Sequence, residues 1–312
     1  MDELLPPQSQ ADDWDSKNLS YVNTPAMTTS LFSCSNAALG CKGAQTDVAV
    51  RQAIFNAMDR TQLNKLAAGD FAAAASPTLL LPERDKKWIA NPDEVEINQS
   101  ADVAKATGIL EDAGYAKGSD GIYAKDGQRV SVTVQVVAGW SDYISAVQVL
   151  TSQLKEAGIE LKSIQLSYNE WSSNQTKGTF ELTLDSIGLG ASDNPYYTYQ
   201  PRFNSSTTAK VGQDASTGGN YARYQNKTVD AELAKAASTE DEAAQKASYA
   251  VIQKEIVRDL PYIPIYVNST LTEFNTDRAT GWPTNDDKYA FAASWKSWDN
   301  GIVLKSLTPA KK

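Results

Sequence analysis

Strand-like and helix-like segments alternate through the middle of the chain, and this alternation restricts the possible folds more than any other feature. In residues 130–136 every second residue is valine, which predicts a half-buried strand. A long amphipathic segment at 142–157 predicts a helix that Gly158 ends, and a further strand follows. The segment FELTLDSIG predicts a third strand, and segments near 47–69 and 100–114 predict helices. This order predicts an α/β sheet with helices on its faces.

Extended segments lie at the two ends of this region. Residues 19–23, LSYVN, predict a short strand inside an otherwise irregular stretch of 46 residues. Near the other end two helices are predicted over 227–260, and Pro261 closes the second because a residue before proline disfavours helical angles. The segment YIPIYVNS follows, in which Pro264 fits an edge strand or a bulge. We interpret the two extended segments as the strands by which the chain enters and leaves one α/β unit.

The absence of histidine excludes several kinds of site. None of the 312 residues is histidine, so Ser-His-Asp catalysis, Cys-His catalysis and histidine zinc sites are excluded, and a nickel site is not expected. The two cysteines, Cys34 and Cys41, cannot supply a structural metal site alone. Their spacing suits a small disulfide-closed loop, which would imply an oxidising compartment; two free thiols are the alternative. We therefore predict no metal and no cofactor.

The charge and hydropathy patterns exclude two further kinds of partner. The net charge is −9, and the 29 basic residues are scattered rather than gathered in the stripe that binding to nucleic acid requires. No stretch approaches the ~20 apolar residues of a membrane span. Residues 1–17 are acidic and polar and lack the apolar core of a signal peptide, so we expect any export signal to lie outside the given chain.

Five segments carry a resemblance to a known family. In order they are DVAVRQAIFNAMDR, ADVAKATGILEDAGY, QVLTSQLKEAGIEL, GNYARYQNKTVDAEL and RDLPYIPIY. Together they resemble the family 5 extracellular solute-binding proteins, the oligopeptide, dipeptide and nickel binding type that serves ABC importers and has an oligosaccharide-binding branch. The resemblance runs from residue 47 to the end. It implies a periplasmic-binding-protein-like class II clamshell with an α/β fold, in which one lobe is inserted between two stretches of the other.

The resemblance also implies a division of the chain into three parts. Residues 1–46 would be an irregular lead-in with the outgoing hinge strand, residues 47–265 the complete inserted α/β lobe that binds ligand, and residues 266–312 a segment returning to the first lobe. Members of the family are longer, so the chain is expected to be the C-terminal portion of such a protein. The remaining part would hold most of the first lobe and a lipoprotein signal.

Ligands of α/β sheets bind at loops beyond the carboxyl ends of strands, and three loops are candidates. In AGWSDY, Trp140 is either an aromatic platform for a sugar ring or a peptide side chain, or a ring packed under the loop. Ser141 or Asp142 is placed to cap the following helix, and both are candidate ligand contacts. In GGNYARY, Asn220 and Arg223 would donate hydrogen bonds at the cleft lip; the alternative is a helix-entry loop with a surface arginine.

The loop GLGASDNPYYTYQ departs from the pattern of peptide-binding relatives. There the resemblance implies a tryptophan soon after the glycine, and then an aspartate that pairs with the free amino terminus of the peptide. Leu189 stands in place of that tryptophan and Ser192 falls where the aspartate is expected, although Asp193 is close enough in sequence to take the role. Tyr196 and Tyr197 are candidates for stacking on a ligand rather than for charge pairing.

Aromatic residues are dense in the tail of the chain. Trp282 is a candidate ligand contact, and with Trp295 and Trp298 it resembles a pattern of the oligosaccharide-binding branch. The alternative is that these tryptophans anchor the tail to the first lobe.

The leading hypothesis is a binding protein with no enzymatic activity. It would be a monomer, lipid-anchored at the extracellular face of the membrane or in the periplasm, that captures an oligopeptide or a short oligosaccharide and delivers it to ABC permease subunits. The departure at Ser192 favours sugar, and the frequency of peptide binders in the family favours peptide. Two alternatives are a glycosidase with paired carboxylates such as Asp185 and Asp193, and a non-catalytic cell-surface interaction module.

Overall fold

The structure is a computed structural model, and it describes residues 18–188, 190–216, 218–293 and 296–310. The strands in these residues are β1 Leu19–Ser33, β2 Ala116–Lys117, β3 Tyr123–Lys125, β4 Gln128–Arg129, β5 Ser131–Val137, β6 Glu160–Leu166, β7 Leu182–Gly188, β8 Tyr262–Asn275, β9 Ala279–Thr280 and β10 Thr308–Pro309. The helices are α1 Val48–Asn56, α2 Arg60–Ala67, α3 Pro82–Asp85, α4 Val103–Asp112, α5 Ser141–Glu156, α6 Tyr168–Lys177, α7 Tyr196–Phe203, α8 Lys227–Ala237, α9 Glu242–Asp259 and α10 Ser297–Ser306.

A five-stranded sheet in the order β6-β5-β7-β1-β8 organises the fold. β5 is parallel to both β6 and β7, with Val134 beside Ser163 on one side and Leu182 on the other. β1 runs antiparallel to β7 and to β8. Parallel neighbours need crossover connections, which α5 and α6 supply. The predicted α/β fold is confirmed.

Helices cover both faces of the sheet because both faces carry apolar side chains. One core contains Leu31 and Val134 from the sheet with Leu150 of α5, and residues of α1, α2 and α4 join it. The other contains Phe32 from the sheet with Tyr199 of α7, and residues of α8 and α9 join it. The adjacent residues Leu31 and Phe32 enter opposite cores, as the two-residue period of a strand requires.

β1 and β8 continue beyond the sheet as a two-stranded ribbon. β7 ends at Gly188, opposite Met27, whereas β1 and β8 stay paired to the far ends of both strands. The tail packs on this ribbon, where the ring of Trp282 stacks on Phe274 with ring centroids 4.7 Å apart. The two segments by which the chain was expected to enter and leave thus belong to neighbouring antiparallel strands, although residues 19–23 pair with 271–275 and residues 262–269 pair with 25–32.

The prediction for the start of the chain is wrong in its extent. The sequence predicts a strand only at 19–23, but β1 continues to Ser33. The second half of β1 includes Thr28, Thr29 and Ser30, all fully buried. A run of hydroxyl residues is typical of a loop, and it is buried here because β7 and β8 flank it on both sides.

Pro264 lies where both of its predicted explanations apply. β8 is the last strand in the order of the sheet, and an edge strand tolerates a missing N–H group. The pairing with β1 also shifts register between Thr29 and Ser30, which leaves Ile265 as an extra residue of β8. The prediction of an edge strand or a bulge is confirmed.

Candidate functional site

The carboxyl ends of the three parallel strands define one edge of the sheet. Val137 ends β5, Leu166 ends β6 and Gly188 ends β7. Because these strands are parallel, the loops that follow them emerge on the same side. The ribbon of β1 and β8 extends past this edge next to β7. We call this region the carboxyl edge.

Four aromatic rings gather at the carboxyl edge. The ring centroid of Trp140 lies 5.4 Å from that of Tyr143, 5.5 Å from Trp171 and 6.2 Å from Tyr168. Trp140 and Tyr168 are 37% and 58% exposed, whereas Tyr143 and Trp171 are buried. The ring of Trp140 packs on two buried rings and still presents a surface to solvent, so a role as a ligand platform stays a prediction. We call these four residues the aromatic cluster.

Two members of the aromatic cluster were not predicted from the sequence. Tyr168 and Trp171 belong to α6, which follows β6 at the carboxyl edge. The rule that selected the loops after β5 and β7 applies equally to the loop after β6, so strand position was the available signal.

The predicted capping of α5 is wrong. The N-cap residue is Trp140, whose side chain makes no cap hydrogen bond, and Ser141 and Asp142 lie inside the first turn. Burial raises the pKa of the Asp142 carboxyl above its ordinary value, and hydrogen bonds from the main chain of Tyr143 and Asp142 partly offset this rise.

A row of hydroxyl groups connects α5 with the central strands. The hydroxyls of Tyr143 and Ser186 share a hydrogen bond of 2.5 Å, and those of Ser186 and Thr29 share one of 2.9 Å. Thr29 pairs across the sheet with Tyr266 of β8. The Tyr266 hydroxyl is buried and has no hydrogen-bond partner among the described residues, and burial raises its pKa. The row thus crosses β7 and ends at Thr29 of β1, beside Tyr266 of β8, whose hydroxyl is unsatisfied.

The loop after β7 places its candidate residues at the surface. Ser192 accepts a hydrogen bond from the main-chain N–H of Asn194 at 3.1 Å. The Asp193 carboxylate lies 3.0 Å from the ammonium of Lys87, with both side chains about half exposed. A hydrogen bond from Lys87 holds the pKa of Asp193 below its ordinary value. Leu189 lies outside the described residues.

Two tyrosines follow in the same loop and begin α7. The rings of Tyr196 and Tyr197 meet edge to face with centroids 5.8 Å apart, and Tyr197 is 50% exposed. Their neighbour Asn194 accepts a hydrogen bond of 2.5 Å from the hydroxyl of Tyr249 and donates one to Gln245. Side chains of α9 therefore fix the loop, and Tyr197 is left available to solvent.

The third predicted loop lies at the opposite edge of the sheet. The main-chain N–H of Ser35, just after β1 ends, donates to the carbonyl of Ala222 at 3.0 Å. β1 ends beside the first residue of β7, Leu182, because these strands are antiparallel. The loop GGNYARY therefore does not join the loops of the carboxyl edge.

Asn220 and Arg223 of this loop are both fully buried. Asn220 donates to the carbonyl of Tyr224 at 2.7 Å and accepts from the main-chain N–H of the same residue at 3.0 Å. Arg223 donates to the carbonyls of Thr176 and Gln213 at 2.7 and 3.0 Å. Only Nη2 of Arg223 makes these bonds, and its Nε and Nη1 are buried without a hydrogen-bond partner among the described residues. The alternative of a surface arginine is wrong, and neither residue lies at an exposed lip, because both are fully buried at the opposite edge.

The two cysteines also lie near this opposite edge. Cys34 and Cys41 are joined in a disulfide with their Cα atoms 5.4 Å apart, and both are buried. A cavity of about 420 Å³ adjoins this loop and includes Lys42 and Glu181 in its lining. No group of three potential metal ligands occurs in the part of the chain that the structure describes.

Trp282 lies in the tail, on the ribbon. Its indole N–H donates to the carbonyl of Ala279 at 3.1 Å, and its ring covers Phe274. Trp298 in α10 is 90% exposed, and Trp295 lies outside the described residues. The stack on Phe274 covers one face of the Trp282 ring.

Comparisons of this sequence with known proteins agree on one protein family. Residues 3–209 match the description "Bacterial extracellular solute-binding proteins, family 5 Middle". Protein XP55 of Streptomyces lividans is 32% identical over 218 residues, which are 69% of this chain and 36% of that protein. The oligopeptide-binding protein AppA of Bacillus subtilis is 28% identical over 224 residues, 70% of this chain and 38% of AppA. The chain thus spans less than half the length of these curated relatives.

Solved structures share the fold. A periplasmic oligopeptide-binding protein of an ABC transporter from Thermotoga maritima, solved with mannohexaose bound, superposes with a TM-score of 0.79 at 21% identity, covering 98% of this chain and 57% of that chain. AppA in complex with a nonapeptide gives 0.69 at 23% identity, covering 96% and 55%. The sequence match extends over most of the chain, and the chain belongs to the family 5 bacterial extracellular solute-binding proteins.

Proposed function

We propose that this chain forms the ligand-binding lobe of an extracellular solute-binding protein that delivers its ligand to an ABC permease. The aromatic cluster at the carboxyl edge is the observation that carries the proposal, because two exposed rings are held in place there by two buried ones. Such a surface binds a ring or an apolar side chain with little loss of side-chain freedom. The structure contains no helix long and apolar enough to cross a membrane within the described residues.

The lobe assignment extends this proposal to the whole chain. Residues 47–265 would form the inserted lobe together with the second half of β1, which lies between β7 and β8 in its sheet. The ribbon of β1 and β8 would be the hinge, and residues 266–312 would return to a first lobe. The ribbon supports this assignment, because β1 and β8 leave the sheet side by side at the carboxyl edge. The ligand would then lie between the aromatic cluster and the first lobe. A lipid anchor and a monomeric state belong to the same proposal.

An oligopeptide or a short oligosaccharide is the proposed ligand class. The relatives support both, since AppA was solved with a nonapeptide and the Thermotoga protein with mannohexaose. The aromatic cluster also suits both, because apolar side chains and sugar rings pack against aromatic faces.

Asp185 and Asp193, the two carboxylates considered for a glycosidase, each have hydrogen-bond or ion-pair partners of their own. Asp185 accepts a hydrogen bond of 2.7 Å from the side chain of Gln175 and another from the main chain of Ser186. Asp193 is engaged with Lys87 at the surface. These separate partners support a binding role over a glycosidase, which requires two carboxylates paired across the substrate.

A thermal-shift screen tests the proposed function. Peptide and neutral oligosaccharide mixtures are each added to the chain, and a ligand present at 100 times its Kd is expected to stabilise it by about 2.7 kcal/mol. The same screen on a longer polypeptide that includes a first lobe should give tighter binding, since a second wall then contacts the ligand. Equal affinity for the two polypeptides, or no stabilisation of either, would contradict a cleft between lobes.

A further inference from the structure

We propose that the cavity beside the disulfide loop is a second binding site, and that it takes a free α-amino acid with an apolar side chain. The cavity has a volume of about 420 Å³, and we call it the amino-edge cavity. A volume of this size is typical of small-molecule sites. The amino-edge cavity is separate from the aromatic cluster and does not depend on the ligand proposed for the carboxyl edge. Its polar and charged lining residues are Lys42, Thr133, Gln135, Asn174, Thr179 and Glu181.

Strands β5 and β6 form the floor of the amino-edge cavity. Val134 of β5 belongs to the core that α5 joins, so its neighbours Thr133 and Gln135 lie on the other face of the sheet. Gln135 pairs with Ile164 of β6, and Thr133, Gln135 and Ile164 all line the cavity. Ile164 is 44% exposed although it lies within the sheet. An apolar side chain of the floor is therefore open to a ligand.

Two acceptor oxygens lie close together at the wall of the cavity. Gln45 is fully buried, and its Oε1 has no hydrogen-bond partner among the described residues, although its amide nitrogen donates to two main-chain carbonyls. Oε2 of Glu181 accepts from the main-chain N–H of Thr133 at 2.6 Å, whereas no hydrogen bond reaches its Oε1 within the described part of the chain. Both Oε1 atoms are near neighbours of the position that a Cβ on Gly43 would occupy, so they face the same space. A buried acceptor without a partner is rare and indicates a missing water or ligand.

The cavity carries one negative and one positive side chain that do not pair with each other. Lys42 lines the same cavity as Glu181, and no ion pair joins the two among the residues that the structure describes. Lys42 directly follows Cys41, whose bond with Cys34 ties this loop to the end of β1. A ligand that has both an ammonium and a carboxylate group would compensate both charges.

An ammonium group supplies the donors that the two acceptors lack. It has three N–H donors, so it can donate to Oε1 of Gln45 and to Oε1 of Glu181 at once, whereas a single hydroxyl has one donor. Hydrogen bonds between charged groups are also about twice as strong as neutral ones. The carboxylate of the ligand would accept from Lys42 and from the second N–H of the Asn174 amide, whose first N–H donates to Gln135 at 3.2 Å.

The apolar part of the lining selects the side chain of the amino acid. Ile164, Phe180 and Val211 line the cavity, and all three keep part of their surface exposed to solvent. Burial of such surface against an apolar side chain of the ligand favours binding. Leucine and phenylalanine should therefore bind more tightly than glycine, which has no side chain to bury.

Isothermal titration calorimetry of the chain with leucine, phenylalanine and glycine tests this site. N-acetyl-leucine lacks the ammonium group and leucinamide lacks the carboxylate, so each analogue removes one charge from the ligand. Glu181→Gln and Lys42→Gln each remove one charge from the cavity. Asp112→Asn in α4 and Lys305→Gln in α10 remove the same charges from exposed positions outside the cavity and serve as matched controls. Thermal melts show whether each variant is folded.

The wild type and both controls are expected to bind leucine and phenylalanine with equal affinity in all three proteins. Glu181→Gln should weaken the binding of leucine roughly 10-fold, which corresponds to about 1.4 kcal/mol, because one acceptor of the ammonium group loses its charge. Lys42→Gln should weaken it roughly 2- to 5-fold, a smaller effect because Lys42 is exposed. Both analogues should bind the wild type more weakly than leucine does.

Binding of leucine that Glu181→Gln leaves unchanged would place the amino acid elsewhere and overturn the assignment of the amino-edge cavity. Equal affinity of the wild type for leucine and N-acetyl-leucine would overturn it as well, as would the absence of binding of any of the three amino acids. None of these results affects the proposed function, which concerns the carboxyl edge. If Glu181→Gln does not fold, Lys42→Gln and the two analogues on the wild type still decide the question.

Discussion

Reduction of the Cys34–Cys41 disulfide should lower the stability of the chain by a calculable amount. The two cysteines are separated by 7 positions, so the cross-link closes a short loop. The chain-entropy relation for such a loop gives about 2.5 kcal/mol of stabilisation, through restriction of the unfolded state. At roughly 2.1 cal/mol/K of unfolding entropy per residue, this corresponds to a fall in Tm of about 4 °C for a chain of 312 residues.

Differential scanning calorimetry with and without reductant measures this effect. Reduction retains both buried sulfur atoms, so no cavity contributes to the change. A Cys34→Ala/Cys41→Ala variant is the control, and its Tm should not respond to reductant. Because the disulfide lies at the edge opposite the aromatic cluster, ligand retention should be the same in both redox states. An unchanged Tm on reduction of the wild type would refute the loop-entropy reasoning.

Three substitutions test other parts of the structure. Gly178→Ala should destabilise the chain by roughly 1–3 kcal/mol in urea unfolding, because Gly178 has a φ of +68° and an added Cβ would lie 2.5 Å from Nε of Arg223. Tyr143→Phe should cost about 0.5–1.5 kcal/mol in the same assay, because it removes the hydrogen bond to Ser186. Trp140→Ala should weaken ligand binding in calorimetry by about 0.5–1.5 kcal/mol, because one ring of the platform is lost. A larger loss of stability than of affinity in that variant would identify Trp140 as a packing residue only.

The central strands and helices could be predicted because their sequence periods are strong. The alternating valines of β5 and the apolar stripe of α5 each determine one element without help from distant residues. β1 could not be predicted beyond its first residues. Its Thr28, Thr29 and Ser30 are buried only because β7 and β8 flank them, and Thr29 finds its hydroxyl partner, Ser186, more than 150 positions away.

The candidate site was predictable where a loop follows a parallel strand. AGWSDY follows β5 and the tyrosine-rich loop follows β7, and both lie at the carboxyl edge. GGNYARY follows no strand, so its sequence contained no information about the edge to which it belongs, and the structure places it at the other one. The burial of Arg223 could not be predicted either. Its hydrogen-bond partners are the main-chain carbonyls of Thr176 and Gln213, and any residue type at those positions would supply the same carbonyl group.

The hydroxyl row gives a physical reason why the aromatic cluster and the hinge strands would act together in the proposed function. Trp140 packs on Tyr143, Tyr143 is bonded to Ser186 of β7, and Ser186 is bonded to Thr29 of β1. Thr29 lies at the register shift where β1 and β8 change their pairing. In the proposed function, a ligand that displaced the ring of Trp140 would therefore act, through two hydrogen bonds, on the point where the pairing of β1 and β8 is irregular.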